Sequence, residues 1–180
     1  MIKIPVSRFE YKLTRILASN GNQPRLDKLM IMVSNPYKWI WPGLILTMLL
    51  IYFDWKAGIQ ALLLSGISAS IADSLNTRLL KPNTDRIRPW KQYGDIASLG
   101  SMNKGRKSFP SNHASNTMSF AMGIGLIFPG TIWILASISF LVGYSRIYCG
   151  AHYPLDVLVG WNHGAGWVFL LYTLAHQFLY

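Results

Sequence analysis

The sequence predicts an all-α, polytopic membrane helical bundle of five transmembrane helices, preceded by an amphipathic helix at the membrane surface. Three observations predict it. Apolar residues make up 51% of the 180 residues and charged ones only 13%, about half the charged share of soluble domains. Charge is also segregated, because Trp39 to Phe53, Ala57 to Ala72, His113 to Ser145 and Val157 to Tyr180 contain no Lys, Arg, Asp or Glu. A crossing needs roughly 20 mostly apolar residues. Finally, Trp39, Trp41, Tyr52 and Trp55 bracket the first apolar stretch, as aromatic side chains do at a membrane–water boundary. The length suits one domain, 1–180, with 1–35 interfacial and 36–180 forming the bundle.

Taken in order, the N-terminus reads as a helix on the membrane rather than through it. Ser7 and Glu10 fit a capping box. Val6, Phe9, Leu13, Ile16 and Leu17 share one face, and Arg8, Lys12 and Arg15 another. Such a basic amphipathic helix lies in the headgroup plane or docks on the protein's own surface. Ser19-Asn20-Gly21-Asn22 ends it, and the patch Leu29 to Val33 is too brief to cross. The first span is Tyr37 to Phe53, with Lys38 snorkelling at its mouth, and Asp54-Trp55-Lys56 is a tight turn. The second, Gly58 to Leu80, carries Ser65, Gly66, Ser68, Ser70 and Ala72, small residues that let helices approach closely in lipid. Asp73 within it is expected to be a hydrogen-bonded structural acid. The polar segment Lys81 to Ser111 is too long for a simple connection and suits a lid or substrate loop. Spans three to five run from Ser111 to Phe128, Thr131 to Tyr144 and Tyr153 to Phe178, with Pro129-Gly130 turning the chain between the first two. Gly160 and Gly164 are spaced for close helix contact.

The net charge of +10 points to anionic headgroups and an anionic substrate. No nucleic-acid-binding motif accompanies it. The single cysteine, Cys149, excludes an intramolecular disulfide and an all-cysteine metal site. Charges interrupt the first 30 residues, so no cleavable signal peptide is expected.

Three blocks carry chemistry: Lys81-x6-Arg88-Pro89, Pro110-Ser111-Asn112-His113 and Ser145-Arg146-x5-His152-x3-Asp156. Each abuts an apolar segment, so together they make one site at a membrane surface. Phosphoryl transfer needs positive charge on the non-bridging oxygens, an in-line nucleophile and a proton for the leaving oxygen. Lys81, Arg88 and Arg146 supply the first, and arginine's planar fork matches two phosphate oxygens. Ser111 and the backbone N–H groups of Asn112 and His113 add neutral donors at a helix start. His152 and Asp156 stand four apart on one helical face, so the carboxylate can orient the imidazole and leave its other nitrogen free to attack phosphorus. His113 then protonates the leaving oxygen and later deprotonates water. This scheme requires no cofactor and no metal, and three cations beside the site disfavour a divalent ion.

These blocks closely resemble the signature of the phosphatidic acid phosphatase type 2 superfamily. The resemblance implies the same assignment: His152 as nucleophile, Asp156 as its partner, His113 as acid and base, and Lys81, Arg88, Ser111 and Arg146 at the phosphate, which the backbone of Asn112 joins by the reading above. Asn112 stands where the usual pattern has glycine; if that position needs positive φ, asparagine is the best replacement. Membrane members commonly have six spans, and the amphipathic start can replace the sixth. Among bacterial lipids the resemblance suggests phosphatidylglycerol phosphate, undecaprenyl pyrophosphate, the 1-phosphate of lipid A or phosphatidic acid. A lipid phosphotransferase using the same histidine is the alternative, and a non-catalytic lipid-binding protein a weaker one.

Other charged and aromatic residues receive plainer readings. Arg86, Lys91, Lys104, Arg106 and Lys107 are expected to face lipid headgroups as anchors, and His163 and His176 to be packed helical residues. Tyr148, Tyr153 and Trp90 are candidates for the rim of the site. The side of the membrane is contested, because every Lys and Arg except Lys56 lies on the face of the active-site loops. The positive-inside rule puts that face in the cytoplasm. The resemblance implies instead the outer face of the bacterial inner membrane, and the periplasmic face is the expectation adopted, since several of these charges serve phosphate. The oligomeric state is not legible.

Overall fold

The computed structural model describes residues 1–100 and 105–179, with the side chain of Leu179 left out. Lys104, expected to be a headgroup anchor, lies outside the described residues. The described chain is all-helical: α1 (Arg8–Leu17), α2 (Pro24–Ser34), α3 (Ile40–Phe53), α4 (Trp55–Leu75), α5 (Lys81–Asn83), α6 (Pro89–Gln92), α7 (Asn112–Ile127), α8 (Ile132–Tyr148) and α9 (Pro154–Leu179).

Local chemistry sets these boundaries. Ser7 Oγ accepts from Glu10 N at 3.0 Å and starts α1. The expected reciprocal half of the capping box is absent, because the Glu10 carboxylate is turned inward to Arg86. The Asp54-Trp55-Lys56 turn is a helix start, with Asp54 Oδ1 accepting from Lys56 N and Ala57 N, both at 3.0 Å. The expected second span does not run through as one regular helix. After Leu75 the chain makes one π-helical turn, Asn76–Leu80, and only then reaches Lys81. The fourth span overshoots its expected end by four residues and carries Ser145 and Arg146 on its last turn.

α7 is the centre of the bundle, packed by α4, α8 and α9, while α3 lies on α4. α1 and α2 lie across the end of the bundle that carries the polar segment, α1 against α8 and α9 and α2 against α8. The interior is built from small and hydroxyl residues: Ala61, Ser65, Ser68 and Ala72 of α4, and Ala114, Ser115, Ser119 and Ala121 of α7 are buried. Large apolar side chains point outward instead, among them Met48, Leu63, Ile67, Trp133, Ile134 and Phe169. A bundle in lipid is built this way, since close backbone approach and not apolar burial drives its packing. Gly160 and Gly164 set the α7–α9 approach; a Cβ on Gly160 would lie 2.6 Å from the Ser111 carbonyl oxygen.

Two stretches, Trp55–Asn83 and Pro129–Tyr148, are long and apolar enough to cross a bilayer by length and composition. α3 and α7, at 14 and 16 residues, fall short of the roughly 20 that a full crossing takes. α9 has 26 residues, and its Asn162, His163 and Gln177 dilute its apolar character.

Candidate active site

The segment between α4 and α7 enters the site as an extended strip. Ile87 pairs antiparallel with Lys107, through Arg88 N to Arg106 O at 3.1 Å and Ser108 N to Arg86 O at 2.8 Å. Successive side chains on an extended strip alternate sides, so Arg86 and Arg88 both point inward and both are buried. This corrects the reading of Arg86 as a lipid-facing anchor. Lys91 and Arg106 are exposed as expected, and Lys107 is partly buried, donating to the Pro82 carbonyl at 2.6 Å.

At the end of α8 the chain reverses. Gly150 takes φ +69°, a conformation that side-chain-bearing residues rarely adopt, and its carbonyl accepts from Trp90 N at 3.2 Å. Ala151 N and His152 N then both donate to the Arg146 carbonyl, at 3.0 and 3.2 Å. The loop therefore ties His152 directly to the phosphate-binding candidate that precedes it by six residues.

His152 is 2% exposed. Its Nε2 lies 3.4 Å from Arg88 Nη1, which also donates to the Ala151 carbonyl at 3.0 Å. On its other side Nδ1 faces Asp156 Oδ2 at 3.7 Å, an electrostatic distance longer than a hydrogen bond. Burial, and after it Arg88 and Arg146, push the imidazole well below its usual range. A neutral ring is the form with a lone pair to attack. Asp156 is fully buried, and its Oδ2 also accepts from Tyr153 N at 2.9 Å.

His113, in the first turn of α7, has a buried Nε2 that makes no hydrogen bond. Ser111 caps that helix, with Oγ 3.5 Å from Ala114 N, while its own N–H donates to the Asp156 carbonyl at 3.0 Å. Asn112 has no positive φ; no described residue other than glycine has. Its amide is a bridge instead: Oδ1 accepts from Lys81 Nζ at 2.5 Å, and Nδ2 donates to Asp73 Oδ1 at 2.6 Å and Thr77 Oγ1 at 3.0 Å. Asp73 is thus the hydrogen-bonded acid the sequence suggested, held also by Asn116 Nδ2 at 3.2 Å.

Lys81, Arg88, Arg146, His113 and His152 open onto one cavity of about 450 Å³, a size suited to a ligand headgroup. Asp73, Asn112, Asn116 and Thr117 form a polar wall, and Val33, Pro36, Trp39 and Val142 an apolar one. Ser111 and Asp156 lie off this lining. The apolar wall comes largely from the end of α2 and the turn after it, where Arg146 Nη1 also donates to Ser34 Oγ. Sequence reasoning missed these residues, because only the docking of α2 brings them to the site. Tyr148, Tyr153 and Trp90 do not rim the cavity: Tyr148 OH donates to Asp27 Oδ1 at 2.8 Å, and Tyr153 packs beneath Arg86. His163 is a packed residue, accepting from Trp167 Nε1 at 2.9 Å. His176 is exposed, contrary to expectation, because α9 outruns its packing partners there.

A lipid-facing bundle with two histidines, one paired to a carboxylate, and three cations in one pocket defines a membrane phosphatase. The match to the PAP2 superfamily model over residues 58–180 covers more than half of the chain, which belongs to that family. Over 173 residues the chain is 31% identical to a lipid A 4′-phosphatase of Bacteroides thetaiotaomicron, covering 90% of this chain and 76% of the relative. A 65-residue match, 45% identical, joins it to an undecaprenyl-diphosphatase of Sulfolobus acidocaldarius, covering 36% of this chain and 31% of the relative. The crystal structure of Aquifex aeolicus LpxE superposes with a TM-score of 0.70 at 25% identity, over 94% of this chain and 98% of that one.

Proposed function

We propose that this protein hydrolyses a phosphate monoester of lipid A through a phosphohistidine on His152, without a metal. The observation that carries the reading is the environment of His152. One ring nitrogen faces a buried carboxylate, and the other faces a cavity lined by three cations. In the first step the Nε2 lone pair forms the P–N bond as the bond to the lipid oxygen breaks, and His113 hands that oxygen a proton. Lys81, Arg88 and Arg146 hold the equatorial oxygens as charge spreads onto them. In the second step His113 takes a proton from water, whose oxygen displaces His152 and leaves as inorganic phosphate. The 3.7 Å gap between His152 and Asp156 is compatible with this, since catalytic hydrogen bonds commonly tighten when substrate engages.

The two unlike walls support the choice of lipid. Asp73, Asn116 and Thr117 offer partners for the hydroxyls and amides of a phosphorylated sugar, and Val33 and Trp39 favour an acyl chain. The similarity to a lipid A 4′-phosphatase over most of both chains supports it further, whereas the undecaprenyl-diphosphatase match spans about a third of the chain. We read the bundle as five membrane-crossing helices, α3, α4, α7, α8 and α9, with α1 and α2 in the interface. The site then faces the periplasm from the inner membrane, as the family resemblance implies.

The test is phosphate release, with EDTA present, from lipid A bearing a 1- or 4′-phosphate, undecaprenyl pyrophosphate, phosphatidylglycerol phosphate and phosphatidic acid. The wild type is expected to release phosphate from lipid A fastest, and His152→Ala to lose at least about 10³-fold. Chelator-sensitive release, or an active His152→Ala, overturns the mechanism. Preference for another lipid overturns the substrate, and phosphate appearing on a lipid acceptor in place of water reveals a transferase.

A further inference from the structure

Arg86 is the largest fully buried side chain of the described residues, and phosphate binding does not explain it. It does not line the cavity. Its Nε lies 2.9 Å from Asp156 Oδ1, an ion pair between two side chains with no exposure at all. Its Nη2 donates to Glu10 Oε1 at 2.5 Å, and its guanidinium lies over the Tyr153 ring, 4.7 Å from the centroid. Glu10 Oε1 also accepts from Leu155 N at 3.2 Å, one residue before Asp156. The surface helix α1 thereby reaches the start of α9 twice, once through the backbone and once through Arg86.

We propose that Glu10 and Arg86 are positioning residues for the Asp156–His152 pair. The two oxygens of Asp156 have different partners. Oδ2 accepts from Tyr153 N and faces the imidazole, and Oδ1 faces Arg86. With Arg86 on one side and Tyr153 N on the other, the carboxylate is held in one plane, so that an oxygen always points at the imidazole. Arg86 is itself over-determined: Glu10 holds one end, Tyr153 its face, and the pairing of its carbonyl with Ser108 N and Oγ, at 2.8 and 3.2 Å, its backbone. A lysine at this position offers a point charge without the fork, and it cannot span Glu10 and Asp156 with fixed geometry. Glu10 matters for a second reason. One buried arginine between two buried carboxylates leaves one negative charge in excess, and the Leu155 N–H and the start of α9 offset it. The pair therefore sets how Asp156 presents itself to the nucleophile, and it does so from outside the cavity lining.

This inference rests on the role of His152 in the proposed function, so His152→Ala is measured beside it. The experiment compares kcat and KM for phosphate release from lipid A by purified Arg86→Met, Arg86→Lys and Glu10→Gln, with thermal unfolding as the check on folding. Arg86→Met is expected to lose about 10²-fold in kcat with KM within about two-fold, the scale of losing an orienting partner. Arg86→Lys is expected to recover part of that loss, and Glu10→Gln to lose about three- to ten-fold. If removing the arginine leaves two uncompensated carboxylates and the Met variant does not fold, Glu10→Gln, which keeps shape and hydrogen-bonding capacity, decides. Wild-type kcat in the folded variants overturns the inference, as does a loss confined to KM, which would make Arg86 a substrate ligand. An inactive His152→Ala beside fully active Arg86 and Glu10 variants sinks this inference alone. An active His152→Ala sinks the proposed mechanism and this inference with it.

Discussion

His113 stands within the cavity on the first turn of α7, its Nε2 buried and without a hydrogen bond. An orphaned ring nitrogen costs stability unless something uses it, and the proposed use is protonation of the leaving oxygen. That role has a graded consequence. His113→Asn keeps a polar side chain of similar reach and removes the proton donor. A sugar phosphate, whose leaving oxygen is strongly basic, should then lose about 10²–10⁴-fold in kcat. p-Nitrophenyl phosphate, whose leaving group departs unprotonated, should lose much less in the bond-breaking step. Single-turnover release of the leaving group from the two substrates measures it, ahead of the step in which His113 acts on water, and equal losses there would assign His113 to binding instead. The residues around His113 divide sharply in how legible they were. Lys81, Arg88, Arg146, His113 and His152 could be read one by one, because each stands in a short block whose joint spacing suits phosphate chemistry and little else. Arg86 could not be read, because the same loop offers exposed cations of the same kind; the one available signal was its two-residue spacing from Arg88 on an extended strip.

At the scale of elements the site depends on how tightly α9 lies on α7. A Cβ at Gly160 would meet the Ser111 carbonyl at 2.6 Å and Ala114 Cβ at 3.1 Å, and one at Gly164 would press on the Ser115 carbonyl. None of these is the yielding end of a long side chain, so the helices must move apart. Gly160→Ala is therefore expected to cost about 1–3 kcal/mol, read as a fall in Tm. It should also lower activity beyond what the lost stability explains, because Ser111 N holds the Asp156 carbonyl. A variant with unchanged Tm would mean that this interface has slack. The spacing of Gly160 and Gly164 was legible in the sequence, and so was each major helix. The π turn at Asn76–Leu80 was not. Nothing in Asn-Thr-Arg-Leu-Leu distinguishes an i→i+5 turn from ordinary helix. Such turns are frequent at functional sites, and this one re-aims the chain just before Lys81. The apolar wall of the cavity was hidden for a related reason. Ser34, Pro36 and Trp39 reach the site through the docking of α2 across α8, where Asp27 accepts from Tyr148 OH and Ser19 Oγ, at 2.8 and 2.6 Å, and Met30 packs with Tyr148 and Cys149, a tertiary fact with no local trace.

For the whole molecule, the arrangement of charge and the family resemblance point to opposite faces of the membrane, and the geometry makes the conflict measurable. Lys56 is exposed at the start of α4, and Arg106 is exposed beside the strip that carries Arg88. The 21 residues of α4 separate these levels by about 30 Å at 1.5 Å per residue, close to the thickness of a hydrocarbon core. A reagent that cannot cross the membrane should therefore reach one position and not the other. Cys149 is 1% exposed, so the native thiol gives little background in the folded protein. With the site facing the periplasm, a membrane-impermeant maleimide added to bacteria with a permeabilised outer membrane should label Arg106→Cys. Lys56→Cys should label only after the inner membrane is breached. The reverse pattern would put the phosphatase in the cytoplasmic leaflet, where the positive-inside rule alone would have it. In that case the cations around the site would be reporting topology as well as chemistry. Under the periplasmic outcome their excess on the outer face fits an anionic substrate, the role the proposed function gives to Lys81, Arg88 and Arg146, which line the cavity.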